Sequence, residues 1–423
     1  MFDVLTYYLS NGMRVMLHRE KGTRIVKVGI VINQGSIYER DDDNGISHFI
    51  EHMVMAQYEN NDKIKQLQNR LFLYGASYNA TTYKTNTMYY ISGLAEGMET
   101  YLELLRKLVF DVESFDDETL HREKQIVERE LVSFYSSFNQ IADRSVQALY
   151  GERNIGRTIV GKKKNIRSFS VEDVYNKMKN SYVPGNAAIV VYGDVDYYKT
   201  ENLINNIYGD IVDIKTNISA ELVRQTPSIY FNPKYQGEHT IVSVCYRKIV
   251  NGDTNIFEDS LLILFATMAD PTLSKRIAYK LRYETGLSYN VSGFIKNVKP
   301  TLASGITAVA KNEDIPIVVE MMLDELKKIR DEGFNEKELE RVKKNIVYRK
   351  LAEKGNITNQ ADVLLKLAMD PLIYSPENEI RLIENISLND INKCINIILD
   401  DDNFGLACIG NCDIDKVVKK FKV

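Results

Sequence analysis

Residues 170–196, SVEDVYNKMKNSYVPGNAAIVVYGDVD, are matched 217 positions later by residues 387–413, SLNDINKCINIILDDDNFGLACIGNCD. Each stretch opens on a serine with an aspartate three residues on, the signature of a capped helix N-terminus. A turn and an apolar, β-branched run follow, then Gly-Asp or Gly-Asn, one residue, and Asp, leading into a further helix. Serine to glycine is 23 positions in both copies. A second pair lies upstream of these: SFDDETLHREKQIVEREL from Ser114 and GFNEKELERVKKNIVYRKL from Gly333, in which Phe115 matches Phe334 and Leu120 matches Leu339. Acidic residues in both first turns suit the positive end of a helix dipole. The chain therefore contains one structural unit twice.

The repeat divides the 423 residues into 1–217 and 218–423, joined by a polar connection around Asp213–Thr226. Runs such as Ile25–Ile32 and Ala187–Tyr192 read as strands, and Lys63–Tyr74 and Gly97–Val109 have helical spacing. Because strands and helices alternate without a regular β-α-β rhythm, the expected fold class is α+β: two homologous α/β-sandwich domains from an internal duplication. Hydrophobic content of 44% and charged content of 26% are those of a soluble globular protein, and a net charge of −4 leaves no basic footprint for nucleic acid. The longest apolar run, Leu261 to Ala269, is too short to span a bilayer, and MFDVLTYYLSNGMRVML does not resemble a secretory signal. Cys245, Cys394, Cys408 and Cys412 form no C-x-x-C pair and read as reduced core residues. A cytoplasmic protein with no membrane partner is expected.

GISHFIEHM, residues 45–53, sets His48 and His52 four apart around Glu51 in a chain with only five histidines. From Asn44, read as the N-cap, ISHFIEHMVMAQ has neither glycine nor proline and predicts a helix. Positions i and i+4 share a face, so two imidazoles can reach one ion. Zinc suits such nitrogens, and a catalytic zinc takes three protein ligands while one position stays open. Glu51 lies on the same side and can take a proton from water; H-x-x-E-H inverts the H-E-x-x-H order of other zinc peptidases. For a third ligand, Glu123, Val127 and Glu130 share a face of the helix after Ser114, since seven residues make nearly two turns, whereas Glu128 points away. A solvated acidic face would look the same. The repeat separates the two readings. Glu123 falls on Val342, Glu130 on Arg349, His48 on Phe265 and His52 on Ala269, so every candidate metal group belongs to the first copy.

With these residues in place, the chain resembles the insulinase and pitrilysin family of zinc metallopeptidases. More narrowly, it resembles the short, two-domain branch that includes mitochondrial processing peptidase subunits and their bacterial relatives. The resemblance runs through LSNGMRVMLHRE, VGIVINQGSIYER, GISHFIEHM, YGASYNATT, EKQIVEREL and VPGNAAIVVYGDVD. It implies one zinc per chain held by His48, His52 and Glu130, with Glu51 as general base and Glu123 supporting the ligands from behind. It also implies that Asn79, Ala80 and Thr82 lie beside an edge strand to which a substrate peptide adds. Arg282 and Tyr289, from the pattern R-x-x-x-G-L-x-Y, would contact substrate near the scissile bond. On the residues alone, Arg282 reads as a helix-end ion pair with Glu284, and Tyr289 as a buried strand residue. After the metal motif the chain departs from the M-L-F-K-G-T-like run of relatives with MVMAQYENN, which bears on substrate preference.

The implied activity is that of a zinc-dependent endopeptidase hydrolysing internal bonds of unfolded peptides, with precursor, leader and bacteriocin peptides among the candidates. The alternative is a peptide-binding or partner subunit of a heterodimeric processing peptidase, a class that usually loses H-x-x-E-H. A closed structural zinc site would want a fourth ligand, often cysteine, and all four cysteines lie in the half without the histidine pair. Relatives of this length gather four such domains around a chamber, so a homodimer is expected over a heterodimer with a related subunit.

Overall fold

The computed structural model describes residues 4–57, 61–112, 115–135, 137–216, 228–233, 237–249, 255–298, 300–354, 356–369, 376–399 and 403–421. The expected connection at Asp213–Thr226 and the boundary at 217 lie, from residue 217 on, outside the described residues. The strands are β1 (Val4–Tyr8), β2 (Arg14–Arg19), β3 (Ile25–Ile32), β4 (Ser77–Thr82), β5 (Thr87–Leu94), β6 (Ala187–Gly193), β7 (Ile229–Asn232), β8 (His239–Ile249), β9 (Asn290–Val298), β10 (Thr301–Lys311) and β11 (Phe404–Ile409). The first helices are α1 (Ile46–Ala56), α2 (Asp62–Leu73), α3 (Met98–Val109), α4 (Asp117–Tyr135), α5 (Ile141–Tyr150), α6 (Lys163–Ser168), α7 (Val171–Ser181) and α8 (Tyr197–Tyr208). They continue as α9 (Asn255–Met268), α10 (Ile277–Tyr279), α11 (Ile315–Glu332), α12 (Glu336–Lys354), α13 (Ile357–Leu367), α14 (Pro376–Asn385), α15 (Leu388–Ile398) and α16 (Ile414–Phe421).

The chain folds into two compact units, and neither is continuous in sequence. Unit 1 comprises Met1–Val132, Thr158–Glu221 and Ala352–Pro376; unit 2 comprises Ser133–Arg157, Leu222–Leu351 and Glu377–Val423. This differs from a single cut at residue 217 by two exchanged stretches, each carrying one helix. The reason lies in the sheets. β6 is buried at every residue, and β8 and β10 are buried over most of their length, so each sheet needs apolar cover on both faces.

In unit 1 the sheet order is β1-β2-β6-β3-β5-β4, with β2 and β6 parallel and the other neighbours antiparallel. One face is covered by α13 and its C-cap, with Ala361, Leu364, Leu365 and Ala368 packing on Met16, Val31, Ala188 and Val190. At Gly29 a Cβ would collide with the Leu365 side chain, so glycine sets how closely α13 approaches. α13 is also fastened by a buried lysine, Lys27, which pairs with Asp362 and lies 4.1 Å from the centre of the Tyr90 ring. The other face carries α3.

Unit 2 repeats the plan with the order β7-β11-β8-β10-β9, and again only the β7–β11 pair is parallel. Here α5 provides the second cover, Val146, Leu149 and Tyr150 packing against Cys245 and Ala303. The two copies agree in detail. Ser170 with Asp173 and Ser387 with Asp390 both form complete capping boxes. Gly193 and Gly410 share φ 145°, a conformation that L side chains rarely adopt, at the same place in each repeat. The fold is thus α+β and internally duplicated. All four cysteines are buried and free, and among the described residues no helix is long and apolar enough to cross a membrane.

Candidate metal centre

The helix carrying H-F-I-E-H begins at Ile46, as read, but its cap is not the one expected. Asn44 is not its cap: Gly45 occupies the N-cap with φ 102° and no side-chain hydrogen bond. The capping oxygens come instead from Glu39, a residue not singled out in the sequence. Its buried carboxylate accepts from Gly45 N at 2.8 Å, from Ser47 N at 2.9 Å and from the Asn44 side chain at 2.8 Å. Burial raises the Glu39 pKa, and these donors work against that rise. A carboxylate at a helix N-terminus suits the dipole, and here it fixes the first turn of α1 just ahead of His48.

On α1, His48 and His52 stack edge to face with ring centroids 4.8 Å apart. Glu130 reaches them from α4: its Oε2 lies 3.6 Å from His48 Nε2 and 3.3 Å from His52 Nε2. The three ligand atoms lie within 4.8 Å of one another. Ligands about 2.0–2.2 Å from a tetrahedral zinc stand about 3.3–3.6 Å apart, so both glutamate–imidazole distances suit the ion. Behind the site, His52 Nδ1 meets Glu123 Oε2 at 3.2 Å, which turns Nε2 towards Glu130. Arg122 Nε holds the other Glu123 oxygen at 3.3 Å. Glu128 faces elsewhere, bound by Arg167 at 2.7 Å and Lys163 at 3.0 Å.

The electrostatics match a ligand set. Burial, reinforced by His52, lowers the His48 pKa to about 4 and keeps this imidazole neutral. Burial pulls His52 the same way, but the carboxylates of Glu123, Glu130 and Glu51 outweigh it and raise the value to about 9. The hydrogen bond from His52 holds Glu130 below the usual carboxylate range. A concentration of negative charge around one imidazole is what a divalent cation would neutralise. Glu51 is pushed up by burial, opposed by the Thr82 hydroxyl, whose Oγ1 lies 2.5 Å from Glu51 Oε2.

Asn79, Ala80 and Thr82 all lie on β4, the edge strand of the unit 1 sheet. Asn79 is exposed, while Ala80 and Thr82 are buried. Arg282 and Tyr289 belong to unit 2, Arg282 in a π-helical turn, Lys280–Glu284, and Tyr289 just before β9. Arg282 Nη2 donates to the Tyr289 hydroxyl at 2.8 Å and stacks 4.0 Å from its ring centre. The plain reading of Tyr289 as a buried strand residue does not hold, because it is 77% exposed. The unit 2 positions equivalent to the candidate metal ligands and to Glu123, namely Phe265, Ala269, Arg349 and Val342, line a cavity of about 830 Å³, and among the described residues they hold no such cluster.

Family models agree with this division of labour. Residues 14–163 match insulinase (peptidase family M16), and residues 168–346 match the peptidase M16 inactive domain. The chain belongs to the insulinase family, peptidase family M16. All the candidate metal ligands lie in the first match. An uncharacterized zinc protease of Bacillus subtilis is 23% identical over 95% of this chain and 94% of its own length. The mitochondrial-processing peptidase subunit beta of Saccharomyces cerevisiae is 20% identical over 96% of this chain and 91% of its own. Among solved structures, a protease from Helicobacter pylori superposes with a TM-score of 0.86 at 16% identity, covering 97% of this chain and all of that one.

Proposed function

We propose that the chain is a zinc endopeptidase acting on extended, unfolded peptides. The observation that carries this reading is the convergence of His48, His52 and Glu130 with Glu51 anchored beside an edge strand. His48, His52 and Glu130 would hold one zinc per chain. When bound, zinc supplies a Lewis acid that brings the pKa of a coordinated water to about 7 and polarises a carbonyl. Glu51 accepts the attacking water's proton on its carboxylate and returns it to the leaving amine. The outer edge of β4, beside Asn79 and Ala80, offers backbone groups to an added peptide strand, a mode that favours unfolded substrates and broad selectivity. Arg282 and Tyr289 are proposed to contact the substrate near the scissile bond, with the exposed Tyr289 hydroxyl held by its arginine.

Precursor and leader peptides, those of bacteriocins included, fit this substrate class. Buried reduced cysteines fit a cytoplasmic location. The proposed assembly is a homodimer. A second reading, a partner subunit of a processing peptidase, is favoured by relatives named as a subunit of such an enzyme. Metal analysis and turnover of an unfolded peptide by the purified protein decide between them. The expected result is one zinc per chain, lost in His52→Ala but kept in a turnover-dead Glu51→Gln, with a dimer in light scattering. Zinc unchanged in His52→Ala, or cleavage only after a different, related subunit is added, would overturn the reading.

A further inference from the structure

We propose that Thr82 is a positioning residue that ties the Glu51 carboxylate to the edge strand β4, so that placement of the base and docking of the peptide depend on one strand. The inference rests on the endopeptidase reading of this site. Thr82 is the last residue of β4 and pairs with Thr87 of β5. It is 7% exposed, and its hydroxyl spends its proton on Glu51 Oε2 at 2.5 Å. This hydroxyl therefore holds a side chain that has three rotatable bonds of its own.

Strand geometry supports the assignment. Side chains alternate across a strand, so Ala80 and Thr82 face one way, into the protein, while Asn79 and Thr81 face the other. The free edge of β4 presents backbone rather than the Thr82 hydroxyl, and α1 packs against this strand. The resemblance implies a role for Thr82 beside the substrate; the geometry gives its hydroxyl to the base instead. A buried carboxylate must be supplied with donors, and a short bond from a hydroxyl on a rigid strand supplies one while fixing direction. A misplacement of about 1 Å at such a group costs up to about 100-fold in rate.

The test compares Thr82→Val, which keeps the shape and removes the donor, with Thr82→Ser, which keeps the donor, in the full-length zinc-loaded protein. Thr82→Val is expected to lower kcat by about 10- to 100-fold with KM within about threefold, zinc content and Tm unchanged, and Thr82→Ser to restore kcat to within about threefold. A crystal structure of metal-free Thr82→Val is expected to show the Glu51 carboxylate turned away from β4. Unchanged kcat in Thr82→Val, a raised KM at constant kcat, or a Glu51 that stays in place would overturn the inference. If Thr82→Val does not fold, Thr82→Ala against Thr82→Ser gives the same comparison. Failure of the endopeptidase reading looks different: wild type loaded with zinc would then cleave no peptide, and the Glu51 position in the variant crystal would still judge Thr82.

Discussion

Glu123 and Glu128 lie on one helix, yet of the two only Glu123 touches a proposed metal ligand. Glu123→Gln is expected to weaken zinc binding about 10- to 100-fold, because the buried carboxylate that orients His52 becomes a neutral amide. Glu128→Gln, which disturbs only surface pairs with Arg167 and Lys163, should leave affinity within about twofold. Chelator competition measures both. The same residues set a pH dependence. With His52 raised to about 9 and His48 lowered to about 4, the proton that competes with zinc at neutral pH is the one on His52. Affinity should therefore climb about tenfold per pH unit up to about 9 and then level off, and the plateau should start at lower pH in Glu123→Gln. In the metal-free protein the sign for stability is opposite. The raised His52 value contributes stability that is fully present below the ordinary histidine pKa and is lost as pH rises through about 9. The spacing of His48, Glu51, His52, Glu123 and Glu130 made these residues legible in the sequence, because helical phase is periodic. Glu39 and the Thr82 contact were not, since a cap from a preceding loop and a bond from a neighbouring strand have no period to read.

Elements were read more securely than the surfaces they cover. The helix after Gly45 was expected, but its cap was misassigned because Asn44 has the right chemistry and the wrong neighbour: its side-chain amide donates to Glu39 instead. α13 has clear helical spacing, but an apolar stripe does not say which sheet it will meet. That stripe proves to belong to unit 1, where Leu364 is fully buried against the sheet. Leu364→Ala should destabilise unit 1 by about 2–5 kcal/mol through lost burial and the cavity left behind. Urea unfolding followed by near-UV circular dichroism would measure this, with zinc binding retained under native conditions because Leu364 touches no ligand.

At the scale of the whole molecule the repeated capping boxes and glycines made the duplication visible, while the exchange of α5 and α13 was hidden by its long range in sequence. A fragment of residues 1–217 includes every proposed zinc ligand but lacks α13, and it carries α5 without the sheet that α5 covers. Expressed alone, it should bind a hydrophobic dye and unfold without a cooperative transition; co-expression with residues 218–423 should restore a sharp one. A well-folded, zinc-binding fragment 1–217 would contradict this account of the sheet faces. The crossing also bears on synthesis. A ribosome delivers the candidate metal ligands before the last cover for their sheet, the segment that includes Ala361 to Ala368. The unit that begins first must therefore wait, with apolar strands open, for a late segment of the same chain. The expected consequence is that, during translation, the half with the candidate metal ligands is the one exposed to aggregation.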